Sequence, residues 1–164
     1  MSIKKIIAIG TVSGLIIIFA FSLGFFAEED IFITIVQGEA EKIVDKEFIY
    51  SHSEAIVFPA VVRSSGKKPI ETEYKGIELS TFFSSLGIDT SGAKRITFKA
   101  TDGYRIILKV EELLEPNNVY LTFERDGELM KSKKHGGNGP FQLVIRRDPF
   151  SQRWIKHVEE IIIE

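Results

Sequence analysis

The chain of 164 residues contains no cysteine, and this absence excludes several kinds of chemistry at once. Without cysteine the chain can form no disulfide, use no thiolate as a nucleophile and offer no thiolate to a metal. A domain outside the reducing cytoplasm then has to be stabilised by its hydrophobic core alone. Residues 31–164 are enough for one domain with such a core.

The chain also has only three histidines and a formal net charge of −2. None of His52, His135 and His157 has the close pairing of a zinc helix or finger, so the sequence predicts no metal site. The 21 basic residues nearly balance the 23 acidic ones, whereas nucleic-acid-binding domains are usually strongly basic. No nucleophile elbow and no phosphate-binding loop is present, so the sequence predicts no catalytic residue of a hydrolase.

Charge is unevenly distributed although the whole chain is nearly neutral. Residues 28–54 contain eight acidic side chains and two lysines, whereas residues 125–157 contain eight lysines and arginines and three acidic side chains. A basic segment attracts anionic ligands. The distribution is compatible with an anionic ligand or the membrane surface facing the C-terminal third, and an ordinary solvated surface is the favoured interpretation.

The longest run without charge covers residues 6–27, with two lysines before it and three acidic residues after it. At about 1.5 Å per residue, a helix of this length spans roughly 33 Å, enough to cross a hydrocarbon core of about 30 Å. Because positive charge marks the cytoplasmic side, residues 1–5 are predicted to be cytoplasmic and residues 28–164 to form an extracytoplasmic domain. The predicted localisation is the cell membrane, with a single span.

A cleaved secretory signal is the alternative interpretation of this segment. Cleavage sites need small residues at the last and third-last positions. A cut after Ala27 would place Phe25 at the third-last position, and a cut after Ala20 would place Ile18 there. The sequence therefore favours a retained membrane anchor.

Beyond this run, alternating or β-branched apolar residues predict a protein built mainly from strands. The predicted strands cover residues 32–37, 54–63, 71–74, 95–100, 104–108, 119–123, 141–145 and 161–163. Pro59 cannot donate a ladder hydrogen bond, so its strand is predicted to lie at a sheet edge or to carry a bulge. Apolar residues at helical spacing from Leu79 to Leu86 predict a helix that ends at Gly87. The predicted fold class is α+β, with a mixed or antiparallel sheet and short helices.

Two Asp-Gly pairs predict tight turns, and a third polar segment predicts a loop. Residues 102–103 join two alternating strands, and Tyr104 at the start of the return strand is predicted to lie in the core. Residues 126–127 follow another alternating strand. Residues 131–139 are polar and rich in glycine, which is typical of a loop.

Several short phrases occur in a fixed order: YKGIEL at 74–79, ATDGY at 100–104, DGEL at 126–129, HGG and GPFQLV within 135–144, and WIK at 154–156. In this order and spacing they resemble the sulfite-oxidase-type molybdopterin-binding domain family. The resemblance extends over about residues 31–164. It implies the α+β fold of that family, a molybdopterin cofactor and oxidoreductase chemistry.

The resemblance also shows where this chain departs from the family. In catalytic members, which include sulfite oxidases and periplasmic methionine sulfoxide reductases, a cysteine thiolate binds molybdenum. The matching position lies near Val62, Arg63 or Ser64, and none of these is cysteine. In addition, Asn138 interrupts the family's His-Gly-Gly-Pro phrase. The resemblance therefore implies the fold without its metal ligand.

The candidate cofactor-binding or anion-binding residues combine cations, a hydroxyl group, an aromatic ring and glycines. Glycine lets backbone N–H groups approach an anion, and arginine can bind a phosphate or carboxylate with two hydrogen bonds. The resemblance places the histidine and glycine phrase against the cofactor. The candidates are Arg63, Ser64, Tyr104, His135, Gly136, Gly137 and Arg147.

These observations predict a membrane-anchored binding or accessory module whose ligand is molybdopterin, another small anion or a partner protein. One alternative is a molybdopterin-dependent oxidoreductase with a ligand other than cysteine, such as Ser64. A second alternative is a structural or interaction protein whose contact surfaces are the anchor, with its glycines at positions 10 and 14, and the exposed sheet edge at Pro59.

Overall fold

A computed structural model of the chain describes residues 30–164, and the predicted membrane span at residues 6–27 lies outside the described residues. Within residues 30–164 no helix is both long and apolar enough to cross a membrane. Ile31–Glu164 forms one unit of strands and short helices, which confirms the predicted α+β class.

The first sheet has five strands: β1 (Phe32–Gln37), β2 (Ala40–Asp45), β5 (Arg95–Ala100), β6 (Arg105–Lys109) and β10 (Val158–Ile163). Their order is β2-β1-β10-β5-β6. β1 and β10 are parallel, and the other neighbours are antiparallel, so the sheet is mixed as predicted. β10 therefore joins the N-terminal hairpin to the β5–β6 hairpin.

The second sheet is antiparallel and consists of β3 (Ile56–Val62), β4 (Ile70–Glu78), β7 (Val119–Arg125), β8 (Glu128–Leu129) and β9 (Gln142–Ile145). Its order is β3-β4-β7-β8, and β9 also pairs with β7. β3, which contains Pro59, lies at the edge of this sheet. The edge position predicted from the proline is confirmed.

Three short helices connect the strands: α1 (Lys46–Tyr50), α2 (Leu79–Ser85) and α3 (Val110–Leu114). The Asp45 side chain caps α1 by accepting a hydrogen bond of 2.8 Å from the Phe48 N–H. α2 buries Leu79 and its two phenylalanines, and Gly87 follows with a φ of 69°. The helical stripe and its glycine stop are therefore confirmed.

The hydrophobic core follows the alternation of the strands. β1 buries Ile33 and Ile35 and leaves the alternate residues Thr34 and Val36 partly exposed, because only one face of its sheet is covered. β7 is different, since its first five residues, Val119 to Phe123, are all buried. A strand covered on both faces is expected to be apolar throughout.

Three predictions from the sequence differ from the structure. β2 and α1 were not predicted, because Val44 is the one buried residue of β2 and no alternation is visible there. β4 is longer than the predicted strand, and β10 starts before residue 161. Tyr104 was predicted in the core but is 54% exposed. Its N–H donates to the Asp102 carboxylate, which holds Tyr104 in the turn before β6 begins.

Candidate functional site

The corner after β3 is where the family resemblance places the metal-binding cysteine. Arg63 and Ser64 are both exposed there. The Arg63 N–H donates to Ser151 Oγ at 2.9 Å, and the Ser151 N–H donates to the Arg63 carbonyl at 3.1 Å. Two hydrogen bonds therefore fix the backbone of this corner against the segment that follows β9.

The loop at residues 131–139 is folded onto itself. It contains a 3-10 turn at Lys133–His135, and Gly136 ends this turn with a φ of 75°. The His135 Nδ1 atom lies 3.0 Å from Ser132 Oγ. The Gly137 N–H donates to the Ser132 carbonyl at 3.0 Å. Polar groups of the loop thus satisfy one another.

Two glycines of this loop allow close packing of its own backbone. A Cβ atom on Gly137 would lie 2.0 Å from the Lys131 carbonyl oxygen, and one on Gly139 would lie 2.3 Å from the Met130 carbonyl oxygen. The space that these side chains would occupy is filled by the chain itself. These two glycines therefore do not frame an open cradle for a ligand.

An ion pair connects the loop to the β5–β6 turn. The Lys133 ammonium lies 3.2 Å from Asp102 Oδ2. The pKa of Asp102 is lowered, chiefly because the Tyr104 N–H donates to its carboxylate and also because Lys133 binds it. Tyr104 and His135, two of the predicted site residues, are brought to the same region by this pair.

His157 joins the same two segments and was not predicted to have any role. It is 8% exposed and has a φ of 57°, which is unusual for a residue other than glycine. Its Nδ1 atom lies 2.7 Å from the Gly139 carbonyl, its N–H donates to Asn138, and its carbonyl accepts from Thr101. Nothing in the sequence signals this backbone conformation.

Arg147 lies apart from both the corner after β3 and the 131–139 loop. Its guanidinium donates to the Glu115 carboxylate at 2.5 Å and to the Pro116 carbonyl at 3.2 Å. Its own N–H donates to the Asn118 side chain. The predicted residues therefore lie in three separate neighbourhoods. The corner contacts Ser151, the 131–139 loop contacts Asp102 and His157, and Arg147 contacts the end of α3.

Aromatic rings cover one face of the second sheet. Phe58 and Tyr120 have ring centroids 4.3 Å apart, and Trp154 meets Tyr74 edge-on at 6.1 Å. The Arg146 guanidinium lies 5.2 Å from the Phe58 ring centroid. This face is filled by the protein's own side chains.

Two clefts open near the turn between β7 and β8, and both include Asp126. One, of about 410 Å³, is lined by residues of the turn and of the 131–139 loop, among them Arg125, Lys131 and Asn138. The other, of about 650 Å³, is the β3–β4 groove, which is lined by Pro59, Ala60, Val61, Glu71, Thr72, Glu73 and Asp126. Both volumes lie in the range of ligand clefts.

The sequence matches the family model described as oxidoreductase molybdopterin binding domain over residues 58–164. The crystal structure of the sulfane dehydrogenase SoxCD from Paracoccus pantotrophus is similar, with a TM-score of 0.63 and 18% sequence identity. The similarity covers 80% of this chain and 37% of that one, so this chain spans well under half the length of that relative. At this identity the likeness shows the fold alone. No curated protein matches the sequence.

The residues of the corner do not fit a molybdenum held by a thiolate. Arg63 offers a guanidinium, Ser64 offers a hydroxyl, and the sequence contains no cysteine. No redox step through the metal follows from this donor set. The family match nevertheless runs from within β3 to Glu164, just after β10, and covers more than half of the sequence. The chain belongs to the oxidoreductase molybdopterin binding domain family.

Proposed function

We propose that this chain is a non-catalytic member of the family that acts as a membrane-anchored, extracytoplasmic binding module for a partner protein. The observation that carries the proposal is the corner at Arg63 and Ser64, where catalytic relatives have a metal-binding cysteine. A thiolate binds metal because a thiol ionises readily. A serine hydroxyl ionises far less readily and is a poor replacement.

Two cations of the candidate region, which lie in separate neighbourhoods, are already ion-paired, and this favours a protein over a small anionic ligand. Lys133 is paired with Asp102, and Arg147 is paired with Glu115. An anion such as a pterin phosphate would have to displace these carboxylates before it could use either cation. The anchoring part of the proposal depends on the uncharged run at residues 6–27 and on the lysines that precede it.

The test is the cofactor content of the full chain, purified in detergent from a host that makes and exports molybdopterin enzymes. Molybdenum, tungsten and oxidised-pterin fluorescence are measured per mole of protein, with a loaded molybdopterin enzyme from the same host as the positive control. We expect none of the three in a sample whose circular dichroism shows a folded domain. Metal near one per chain contradicts the proposal, and pterin without metal indicates a small anionic ligand instead.

A further inference from the structure

β3 has one strand edge with no strand partner in the described part of the chain, residues 30–164. Ile56–Val62 pairs with β4, and no other strand contacts it in either sheet. Proline is tolerated in an edge strand when the side that lacks an N–H faces solvent. The N–H and C=O groups of successive residues point to opposite sides of a strand. Those of Val57 and Val61 therefore point to the same side as the backbone nitrogen and carbonyl of Pro59.

Several apolar side chains at this edge or next to it are exposed. Ile56 is 46% exposed, Val57 is 61% exposed, and Ile70 at the start of β4 is 52% exposed. A free and apolar strand edge is a template for pairing with another chain. A single proline interrupts the template but leaves the valine N–H groups on both sides of it.

Acidic side chains lie one strand away from this edge. Pro59 is paired with Glu73, and Val61 is paired with Glu71, so all four side chains belong to the same face. They line the β3–β4 groove together with Asp126. Among residues 30–164, no ion pair engages the carboxylate of Glu71 or Glu73. The groove therefore combines an apolar wall with unpaired negative charge.

These features exclude a second copy of β3 as a partner that matches the negative charge of Glu71 and Glu73. β3 has the sequence IVFPAVV and carries no charge. A strand that satisfies the groove needs basic side chains at the two positions that face Glu71 and Glu73, which are two residues apart because side chains on one face of a strand alternate with those on the other. Lys75, the next residue on this face, is already paired with Glu124. Charge complementarity of this kind selects partners and speeds association.

We infer that the β3 edge binds an extended segment of a partner protein, which adds as a strand and directs lysine or arginine side chains towards Glu71 and Glu73. Main-chain hydrogen bonds supply affinity in this mode of recognition, and alternate side chains supply specificity. The inference deepens the proposed binding function by naming the surface and the partner's chemistry.

The test uses the full chain in detergent micelles and fluorescein-labelled peptides in an anisotropy titration. The probe is an eight-residue peptide of alternating lysine and valine. One control replaces every lysine with glutamate, and another carries N-methyl groups on alternate backbone nitrogens, which blocks one hydrogen-bonding edge. We expect both controls to bind at least tenfold more weakly than the probe.

A matched pair of double variants locates the site. Glu71→Gln with Glu73→Gln is expected to weaken binding of the probe about three- to tenfold at low salt, in the range of two exposed ion pairs. Glu39→Gln with Glu41→Gln removes the same charge from exposed positions in the first sheet, at the β1–β2 turn and the start of β2, and is expected to leave binding unchanged. Val57 and Val61 amides should gain hydrogen-exchange protection when the probe binds.

Equal binding of the N-methylated peptide, equal effects of the two double variants or unprotected valine amides would overturn the inference. The cofactor measurement distinguishes failure of this inference from failure of the proposed function. Loss of strand binding in metal-free protein overturns the docking site alone. Metal near one per chain, with the probe still bound at β3, overturns the non-catalytic function alone.

Discussion

At the scale of single residues, Gly136 and Gly137 are neighbours with different physical requirements. Gly136 adopts a positive φ in open space, whereas Gly137 has a negative or extended φ and lies against Lys131. Both were predicted to bind an anion, and that prediction stays untested. The backbone contacts provide a structural reason for each glycine that needs no ligand.

The two glycines should therefore respond differently to alanine. Gly137→Ala places a Cβ atom 2.0 Å from a carbonyl oxygen, and we expect it to lower the free energy of unfolding by about 3 kcal/mol or more. Gly136→Ala meets only the strain of a left-handed conformation, at a cost of about 1–2 kcal/mol. Urea unfolding followed by Trp154 fluorescence measures both. Equal losses would contradict this difference.

Asp126 links stability to pH. Its pKa is lowered, first by a hydrogen bond from the Glu73 N–H and then by one from the Thr72 hydroxyl. A carboxyl group whose pKa is lowered by folding stabilises the native state above its unfolded pKa, and this contribution is lost as the pH falls through the folded pKa. The contribution is small because the Asp126 side chain is 60% exposed.

We expect Asp126→Asn to reduce the dependence of stability on acid. Asparagine keeps an acceptor oxygen and tolerates the positive φ at this position, but it does not titrate. The variant should be slightly less stable than the wild type at pH 7, and the difference should shrink as the pH falls below about 4. Urea midpoints from pH 7 to pH 2.5 test this. A constant difference across the range would show that the charge is irrelevant.

At this scale the sequence predicts features that depend on one residue or its near neighbours, but not contacts between segments that are distant in the chain. Gly87 ends a helix through its own φ, and this was predictable. The ion pair of Lys133 with Asp102 joins residues from different segments, so no spacing in the sequence reveals it. The candidate residues are least predictable for this reason. Tyr104 and His135 come to one region only through the packing of the 131–139 loop against the β5–β6 turn, and Arg63 and Arg147 lie elsewhere.

At the scale of elements, the strands that alternate clearly were the ones predicted. The β5–β6 hairpin was found because alternating residues flank an Asp-Gly turn, and Ile96 and Phe98 are indeed fully buried. β2 could not be found, since it borders β1 on one side and buries a single residue. Period-two alternation is visible in sequence only where one face of a strand is buried along its length.

β10 is the element on which the first sheet most depends. Ile161 is fully buried and is paired with Ile35 of β1 and Phe98 of β5. We expect Ile161→Ala to lower the free energy of unfolding by about 2–5 kcal/mol. Glu159→Ala changes an exposed residue of the same strand and should change it by at most about 0.5 kcal/mol. A small effect of Ile161→Ala in chemical unfolding would contradict the central role of β10.

At the scale of the whole molecule, the absence of cysteine makes the predicted membrane topology easy to test. Lys68 is exposed in the loop between β3 and β4, and Ser2 precedes the uncharged run. A cysteine introduced at either position is the only thiol of the chain. Each variant can then be labelled by a maleimide that does not cross membranes.

We expect Lys68→Cys to be labelled on intact cells and Ser2→Cys to be labelled only after permeabilisation. This pattern follows from the lysines that precede the uncharged run, since positive charge stays on the cytoplasmic side. The cysteine-free wild type is the control for unspecific labelling. Labelling of Ser2→Cys on intact cells, with Lys68→Cys protected, would reverse the orientation.

Because β1 pairs with β10, the first sheet joins strands that are synthesised at very different times. Residues 34 and 160 are neighbours in the sheet, but ribosomes produce the first long before the second. Until β10 has been made, β1 can pair with β2 but lacks its second strand partner. The first sheet therefore cannot be completed before its last strand, β10, has been made.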